Sequence, residues 1–144
     1  MYYLDTCVWL SAFNKNEANT ENGKIAKRLI EKVLFEKKEK IIYSGFVLRE
    51  LENKLKGDFV EKQQYLKNEK QITFVKAITA DYVLARKFEE RYQRTLGFYD
   101  FMHLALCKNN NYQLITFDKD LLFIGKKEAK VTSPKQLLKR INFI

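Results

Sequence analysis

The sequence predicts an α/β fold, a three-layer α/β/α arrangement in which helices cover both faces of a central, mostly parallel sheet of four to five strands. Short apolar runs, rich in β-branched and aromatic residues, recur along the chain and alternate with longer segments of helical periodicity. The runs are apolar on both faces, which is typical of strands buried between two helical layers.

One or two predicted helices separate each predicted strand from the next. The strands cover residues 2–4, 41–44, 72–75 and 113–117. Apolar residues at helical spacing predict helices over residues 21–38, 46–56, 58–69, 80–94 and 101–109. Gly97 separates the last two helices, and the run Asn109-Asn110-Asn111 predicts the end of the second one. Because helices connect the strands, we expect parallel pairing.

The composition is that of one globular domain over residues 1–144. Hydrophobic residues make up 46% of the chain, with one Pro and five Gly, which argues against disorder. No apolar run approaches the roughly 18 to 20 residues of a membrane span, and no signal peptide is visible. The spacing of Cys7 and Cys107 fits neither a metal-binding nor a redox pair, so both are interpreted as reduced thiols. We therefore expect a cytoplasmic protein with no membrane association.

The net charge is +9 and the isoelectric point is about 9.5. A basic surface attracts polyanions, of which nucleic acid is the commonest in the cytosol. The charge alone is equally typical of a chain from a basic proteome, so it supports a nucleic-acid partner only together with the chemistry below.

Four acidic residues are expected to meet at one edge of the sheet. Asp5 follows the first predicted strand and Asp118 the fourth. Glu50 lies about two turns into the helix after the second strand, and Asp100 opens the helix that leads into the fourth. Ligands of parallel sheets bind beyond the carboxyl ends of the strands, which is where these side chains are predicted to project.

Each acid has a simpler explanation when taken alone. Asp5, Asp100 and Asp118 suit helix N-caps, and Glu50 suits a solvated helix surface. As a set they are harder to explain, because clustered carboxylates repel one another unless a cation joins them. Hard oxygen ligands favour Mg²⁺ or Mn²⁺, and such ions activate water and stabilise the charge that builds up on a phosphate.

Several motifs in the same order resemble the PIN domain family of nucleases. The combination of an apolar-Asp-Thr start, Asp-x-x-His-Leu-Ala and a later Thr-x-Asp is fairly specific, and the matching segments spread over nearly the whole chain. They are Leu4-Asp5-Thr6, residues 44–51 with Glu50, Asp100-Phe101-Met102-His103-Leu104-Ala105 and Leu114-Ile115-Thr116-Phe117-Asp118.

This resemblance implies a Mg²⁺- or Mn²⁺-dependent ribonuclease. Many compact members of the family are the VapC toxins of VapBC toxin–antitoxin pairs, often dimeric, so the resemblance also implies a homodimer and a partner antitoxin. It implies that the four acids bind metal directly or through water, and that Thr116 and Thr6 orient a carboxylate or water. Cys7 departs from the Asn or Ser of many relatives, which weakens any role for that position.

Some choices stay open from the sequence. Glu52 competes with Glu50, since the two point about 200° apart on a helix and periodicity does not choose between them; the family spacing favours Glu50. Asp120 competes with Asp118, and it either caps a short helix at Leu121-Leu122 or reaches a metal through water. His103 is interpreted as a structural residue at the start of its helix, with a proton donor as the alternative.

The sequence therefore predicts a metal-dependent endoribonuclease that cleaves phosphodiester bonds in RNA, with Asp5, Glu50, Asp100, Asp118 and Thr116 at its site. The alternative is a catalytically inactive PIN-like RNA-binding or scaffolding module. A phosphatase with an aspartyl nucleophile is disfavoured, because position 7 is Cys where such enzymes usually carry a second Asp. Trp9 is interpreted as core, since it lies beside apolar Val8 and Leu10.

Overall fold

A parallel sheet of five strands forms the centre of the molecule. The computed structural model describes residues 1–142. The strand order is β3-β2-β1-β4-β5, and each strand runs parallel to its neighbours. The strands are β1 (Tyr2–Leu4), β2 (Ile41–Ser44), β3 (Ile72–Val75), β4 (Gln113–Ile115) and β5 (Val131–Thr132). The α/β class and the parallel pairing predicted from the sequence are confirmed.

Helices cover both faces of this sheet. They are α1 (Thr6–Phe13), α2 (Glu21–Glu36), α3 (Gly45–Leu55), α4 (Phe59–Asn68), α5 (Thr79–Arg91), α6 (Phe98–Asn110), α7 (Lys119–Gly125) and α8 (Pro134–Asn142). Helices α1 to α4 and α8 pack against one another, and α5 packs on α6. Right-handed crossovers explain the two layers, because the chain moves across the sheet in one direction up to β3 and in the other from β4 onward.

The reversal of strand order creates a topological switch point between β1 and β4. The chain leaves β1 toward β2 and β3, and then crosses back to β4 on the other side of β1. The loops that follow β1 and β4 therefore diverge to opposite layers and leave a crevice at the carboxyl ends of these strands. This crevice is the expected ligand site of a doubly wound sheet.

The element boundaries differ from the predicted ones in informative ways. Strand β4 ends at Ile115, two residues early, because the Thr116 side chain and Asp118 begin the turn into α7. Helix α6 begins at Phe98, with Gly97 as its N-cap, so Asp100 lies in the first turn instead of opening the helix. Its predicted end is confirmed by Asn111, the C-cap, whose φ of 57° is left-handed.

Strand β5 and helix α8 were not predicted. In the sequence, residues 140–144 form a mainly apolar C-terminal segment that suits pairing with the sheet or with a second subunit. Residues 140–142 belong to α8, which packs on α2; Phe143 and Ile144 lie outside the described residues. Within residues 1–142, a helix with the length and apolarity needed to span a membrane is not found.

The core lies between the sheet and both helical layers. Trp9 is fully buried and stacks on Phe13 with 5.4 Å between ring centroids, as the core interpretation expects. Strand β2 is buried along its whole length, and Tyr3 and Leu4 of β1 are buried as well. The rigid central strands therefore fix the positions of the polar residues that follow them.

Candidate active site

Asp5 occupies the crevice directly after β1. It is only 5% exposed and caps α1, since its Oδ1 accepts a 2.8 Å hydrogen bond from the Thr6 amide. Its Oδ2 accepts from the Thr116 hydroxyl, which follows β4, at 2.7 Å, and from the Cys7 thiol at 3.2 Å. The residues that follow β1 and β4 thus jointly orient the Asp5 carboxylate. Thr116, which was predicted at this site, is the residue after β4 that bonds Asp5 after β1.

Glu50 reaches this crevice from α3. Its Oε1 accepts a 2.6 Å hydrogen bond from the Thr6 hydroxyl and a 2.9 Å one from Nε2 of His103. Glu52 is exposed and has no side-chain hydrogen bond within residues 1–142. Of the two glutamates that the sequence left open, Glu50 is therefore the one that lies beside Asp5. Burial raises the pKa of Glu50, but the hydrogen bond and the charge of His103 outweigh this and lower it.

Asp118 lies on the far side of Thr116. It is the N-cap of α7, because its Oδ1 accepts from the amides of Asp120 at 2.9 Å and Leu121 at 3.2 Å. Its own amide donates to the Thr116 hydroxyl at 3.0 Å. The alternative in which Asp120 caps this helix is wrong, because the helix begins at Lys119, two residues before Leu121, and Asp120 lies exposed in its first turn.

Asp100 joins the cluster from α6. Burial and the charges of Asp5, Asp118 and Glu50 together raise the pKa of its carboxyl to about 6, against the opposing effect of His103. Because it lies inside the helix, Asp100 is not an N-cap, and the simpler explanation offered for it does not apply. Since one carboxyl senses the three others, the four acids share one electrostatic environment.

This acid cluster (Asp5, Glu50, Asp100 and Asp118) lacks basic partners. Although 27 of 144 residues are Lys or Arg, none of them in the described part of the chain forms an ion pair with the four acids; His103 alone does, 2.9 Å from Glu50 and 3.7 Å from Asp5. No three of the His, Cys, Asp and Glu side chains in residues 1–142 converge closely enough to hold a metal ion by themselves.

The donor chemistry of the acid cluster nevertheless fits a magnesium-like ion. Carboxylate oxygens are the ligands that Mg²⁺ and Mn²⁺ prefer. Mg²⁺ binds through only one or two carboxylates and keeps several water molecules, so it does not require close convergence of all four acids. A bound cation would also relieve the mutual repulsion that raises the pKa of Asp100.

Comparison with known protein families identifies the family of this chain. The family model described as PIN domain matches residues 2–127, a span that contains all four acids and Thr116. The chain belongs to the PIN domain family. No curated protein matches the sequence at a significant level.

Solved structures share the PIN fold along nearly the whole chain. VapBC2 from Rickettsia felis, bound to a promoter DNA fragment, has a TM-score of 0.69 at 18% identity, over 92% of this chain and 97% of the other. Mycobacterium tuberculosis VapC20, described as a Sarcin-Ricin loop cleaving toxin, has a TM-score of 0.66 at 18% identity, over 84% of this chain and 92% of the other. FitAcB from Neisseria gonorrhoeae has a TM-score of 0.63 at 15% identity, over 94% of this chain and 99% of the other. At these identities the likeness shows the fold.

Behind the acids of this PIN domain runs a buried chain of hydrogen bonds that the sequence did not predict. The Ser44 and Tyr3 hydroxyls are 2.7 Å apart, and the Tyr3 hydroxyl is 2.6 Å from Nδ1 of His103, whose Nε2 donates to Glu50. Ser44, Tyr3 and His103 are all fully buried. Three residues from β1, β2 and α6 therefore hold Glu50 from inside the core.

His103 is the member of this hydrogen-bonded chain that contacts the acids directly. Burial lowers its pKa, but the hydrogen bond to Glu50 and the charges of Asp5, Glu50 and Asp100 raise it more, and the net shift is upward. The residue lies in the middle of α6 with no exposure to solvent, not at the helix start as interpreted from sequence. The only signal in the sequence was its spacing of three residues from Asp100.

Proposed function

We propose that this PIN domain is a metal-dependent endoribonuclease of the VapC toxin type. The observation that carries the proposal is the cluster of four carboxylates at the β1–β4 switch point, where neighbouring acids help to raise the pKa of Asp100 to about 6. Family membership supports the reaction class, and the neighbour described as a Sarcin-Ricin loop cleaving toxin supports RNA as the substrate.

Asp5, Glu50, Asp100 and Asp118 are proposed to hold Mg²⁺ or Mn²⁺, some of them through water. When bound, such an ion lowers the pKa of water and stabilises negative charge on a phosphate. The chain supplies the orientation: the Thr116 hydroxyl fixes Asp5 and the Thr6 hydroxyl fixes Glu50. His103 holds Glu50 and offsets part of the negative charge, and its complete burial argues against proton donation to a substrate.

The substrate is proposed to be unpaired RNA. The net charge of +9 draws a polyanion to the surface, and the flexible backbone of an unpaired strand can bend toward the acid cluster. Specific recognition of RNA mostly uses single-stranded loops and ends, whose bases are free to contact the protein.

A toxin role implies partners. The similar structures described as VapBC2 and FitAcB support an antitoxin partner. We propose that this chain likewise binds an antitoxin and forms a homodimer in the cytoplasm. Co-expression with the product of a neighbouring small open reading frame tests the partner: recovery of a stable complex supports it, and separate purification of the two proteins contradicts it.

The activity is tested with purified protein and an end-labelled RNA. Cleavage is expected with Mg²⁺ or Mn²⁺ and is expected to be lost with EDTA. Asp100→Asn is expected to abolish it, whereas Glu52→Gln, a matched change on the exposed side of α3, should leave it intact. Cleavage that survives both EDTA and Asp100→Asn would contradict the metal mechanism. RNA binding without cleavage at any metal concentration would favour the inactive RNA-binding module.

A further inference from the structure

A groove lined by aromatic and basic residues lies where α3 and α5 begin and β3 ends. It encloses about 230 Å³, and its lining includes Phe46, Arg49, Phe74, Lys76 and Tyr82. Two of its aromatic side chains face solvent, since Phe74 is 48% and Tyr82 is 44% exposed. Exposed apolar surface that is grouped in one place is typical of a binding site. We call this feature the aromatic groove.

The aromatic groove is held in shape by ring contacts. Phe46 meets Tyr82 edge to face, with 5.9 Å between ring centroids, and meets Tyr99 in the same way at 4.9 Å. The hydroxyl of Tyr99 accepts a hydrogen bond from Nη1 of Arg49 at 3.4 Å. Helices α3, α5 and α6 therefore each contribute a ring, and the floor of the groove is ordered before a ligand arrives.

The groove adjoins the acid cluster through two of these helices. On α3, Arg49 of the groove immediately precedes Glu50 of the acid cluster. On α6, Tyr99, which contacts Phe46 and Arg49, immediately precedes Asp100. Consecutive helix residues have Cα atoms about 3.8 Å apart but point about 100° apart. The groove and the acid cluster are therefore neighbouring surfaces that face different directions, and a flexible single strand is suited to turn from one to the other.

The charge of the groove suits a polyanion. Arg49 and Lys76 flank the rings, both are exposed, and no acidic side chain in the described part of the chain lines the groove. Positive residues that track a backbone, combined with rings on which bases stack, are the common device of single-strand binding proteins. By contrast, the groove between α2 and α8 has basic residues such as Arg28 and Lys135 but no aromatic lining among residues 1–142.

The same charges argue against a second copy of the chain as the occupant. In a two-fold symmetric contact the same patch meets itself. A contact centred on the aromatic groove would bring Arg49 and Lys76 of one copy against those of the other, and like charges that meet across an interface oppose association.

We infer that the aromatic groove binds an unpaired nucleotide of RNA adjacent to the phosphodiester at the acid cluster, with its base against Tyr82 and Phe74 and its phosphates on Arg49 and Lys76. The inference rests on the proposed ribonuclease function for the position of the scissile bond. A base within a duplex has both faces covered by its neighbours, so stacking on these rings selects unpaired RNA.

The test measures binding without cleavage. Affinity for a fluorescein-labelled single-stranded RNA is measured by anisotropy in EDTA. Tyr82→Ala and Phe74→Ala are each expected to raise Kd roughly 5- to 100-fold. Arg49→Ala is expected to weaken binding and to reduce the dependence of log Kd on log salt by about one. Tyr82→Phe, which keeps the ring, should bind as the unchanged protein does.

Matched controls use the same residue types elsewhere. Phe35 on α2 is 84% exposed, and Arg28 is exposed on the same helix. Phe35→Ala should leave the affinity unchanged. Arg28→Ala should change it less than Arg49→Ala does. Circular dichroism and thermal unfolding check that each variant is folded; because the replaced rings are exposed, little change is expected.

The possible outcomes separate this inference from the proposed function. Weaker binding of the groove variants supports the inference even if no cleavage is found with any metal. Unchanged Kd for Tyr82→Ala and Arg49→Ala overturns it, even if the protein cuts RNA. Analytical ultracentrifugation of Tyr82→Ala provides the remaining outcome: loss of a dimer with unchanged RNA affinity would assign the groove to a second copy and overturn the inference.

Discussion

Two groups of polar residues show how differently one chain uses its carboxylates. In the acid cluster, four carboxylates gather with only His103 as an internal counter-charge. In a second group, the Glu128 cluster, one carboxylate receives three donors: Nη1 of Arg91 at 2.6 Å, Nζ of Lys108 at 2.9 Å and the hydroxyl of Tyr92. The Glu128 cluster ties the turn between α7 and β5 to α5 and α6.

The pKa values of the two groups move in opposite directions. Burial and neighbouring acids raise the pKa of Asp100 to about 6. Burial raises the pKa of Glu128 as well, but the hydrogen bonds from Tyr92, Lys108 and Arg91 outweigh it and lower the pKa to about 2. The hydrogen bonds to Glu128 stabilise its ionised form in the fold, whereas the ionised form of Asp100 costs stability in the absence of a cation. Such an uncompensated group marks a functional site more reliably than a buried ion pair does.

The largest expected difference between the two groups is in RNA cleavage. Asp100→Asn is expected to lower the cleavage rate at least about 100-fold, because changes that affect metal ligands only indirectly already cost 10- to 100-fold. Glu128→Gln should leave the rate of the folded protein unchanged, since Glu128 bonds Arg91, Tyr92 and Lys108 and none of the four acids. The measurement is single-turnover cleavage of labelled RNA at a temperature where both variants are folded.

The free energy of unfolding, unlike the cleavage rate, is not expected to fall on Asp100→Asn. Asp100→Asn removes one of several repelling charges, so its free energy of unfolding in EDTA should equal or exceed that of the unchanged protein. Mn²⁺ should raise the melting temperature of the unchanged protein more than that of the variant. A loss of stability in EDTA together with normal cleavage would show that the acid cluster is structural, as the Glu128 cluster is.

The sequence predicts the parts of the site that have local signals. A short apolar strand followed at once by Asp5 is visible within five residues, and the same holds for the segment that ends in Thr116 and Asp118. The parallel sheet then brings these ends together without further information. The choice of Glu50 over Glu52 required the family spacing, because helical periodicity left both sides of α3 open.

The unpredicted parts depend on contacts between distant residues. Tyr3 and His103 are 100 positions apart, Tyr3 and Ser44 are 41 apart, and Arg91 and Glu128 are 37 apart. No periodicity within a window of 10 to 20 residues carries such pairings. Strand β5 was missed for a related reason: two residues, Val131 and Thr132, are too few to form a pattern, and their pairing with β4 defines them as a strand.

Stability should also depend on the Glu128 cluster itself. Glu128→Gln is expected to lower the free energy of unfolding by about 1 to 3 kcal/mol, because it weakens three hydrogen bonds to a side chain that is 7% exposed. The lower end is favoured by the exposure of Arg91 and Lys108, which lets solvent screen the charges. Urea unfolding at neutral pH measures the change.

The matched control for this change is Glu61→Gln. Glu61 is 80% exposed and lies 3.8 Å from Lys62, so its replacement should alter stability by less than about 0.5 kcal/mol. Equal losses for the two variants would mean that the Glu128 cluster adds nothing beyond an ordinary surface ion pair.

The buried Tyr3 hydroxyl is expected to affect metal binding at the acid cluster. Tyr3→Phe deletes the hydroxyl between Ser44 and His103, and the loss of two buried hydrogen bonds should cost about 1 to 2 kcal/mol of stability. Because His103 then holds Glu50 less firmly, Mn²⁺ affinity measured by calorimetry should fall by roughly 10-fold. Tyr65→Phe is the control, since the Tyr65 hydroxyl makes no hydrogen bond within residues 1–142. A stability loss with unchanged Mn²⁺ affinity would limit the Tyr3 hydroxyl to a structural role.

The smallest expected effect is the pH dependence of the Glu128 cluster. The Glu128 carboxyl has a pKa of about 2 in the folded protein, below the ordinary value of 4.5. Between these two pH values the folded state therefore binds fewer protons than the unfolded state. The stabilisation is complete above the unfolded pKa and is lost as pH falls through it toward 2. Between pH 6 and pH 4, the stability difference between the unchanged protein and Glu128→Gln should shrink by about 1 kcal/mol. Paired urea titrations measure this difference and cancel the carboxyls common to both proteins; a difference that stays constant with pH would show that Glu128 titrates alike in the folded and unfolded chain.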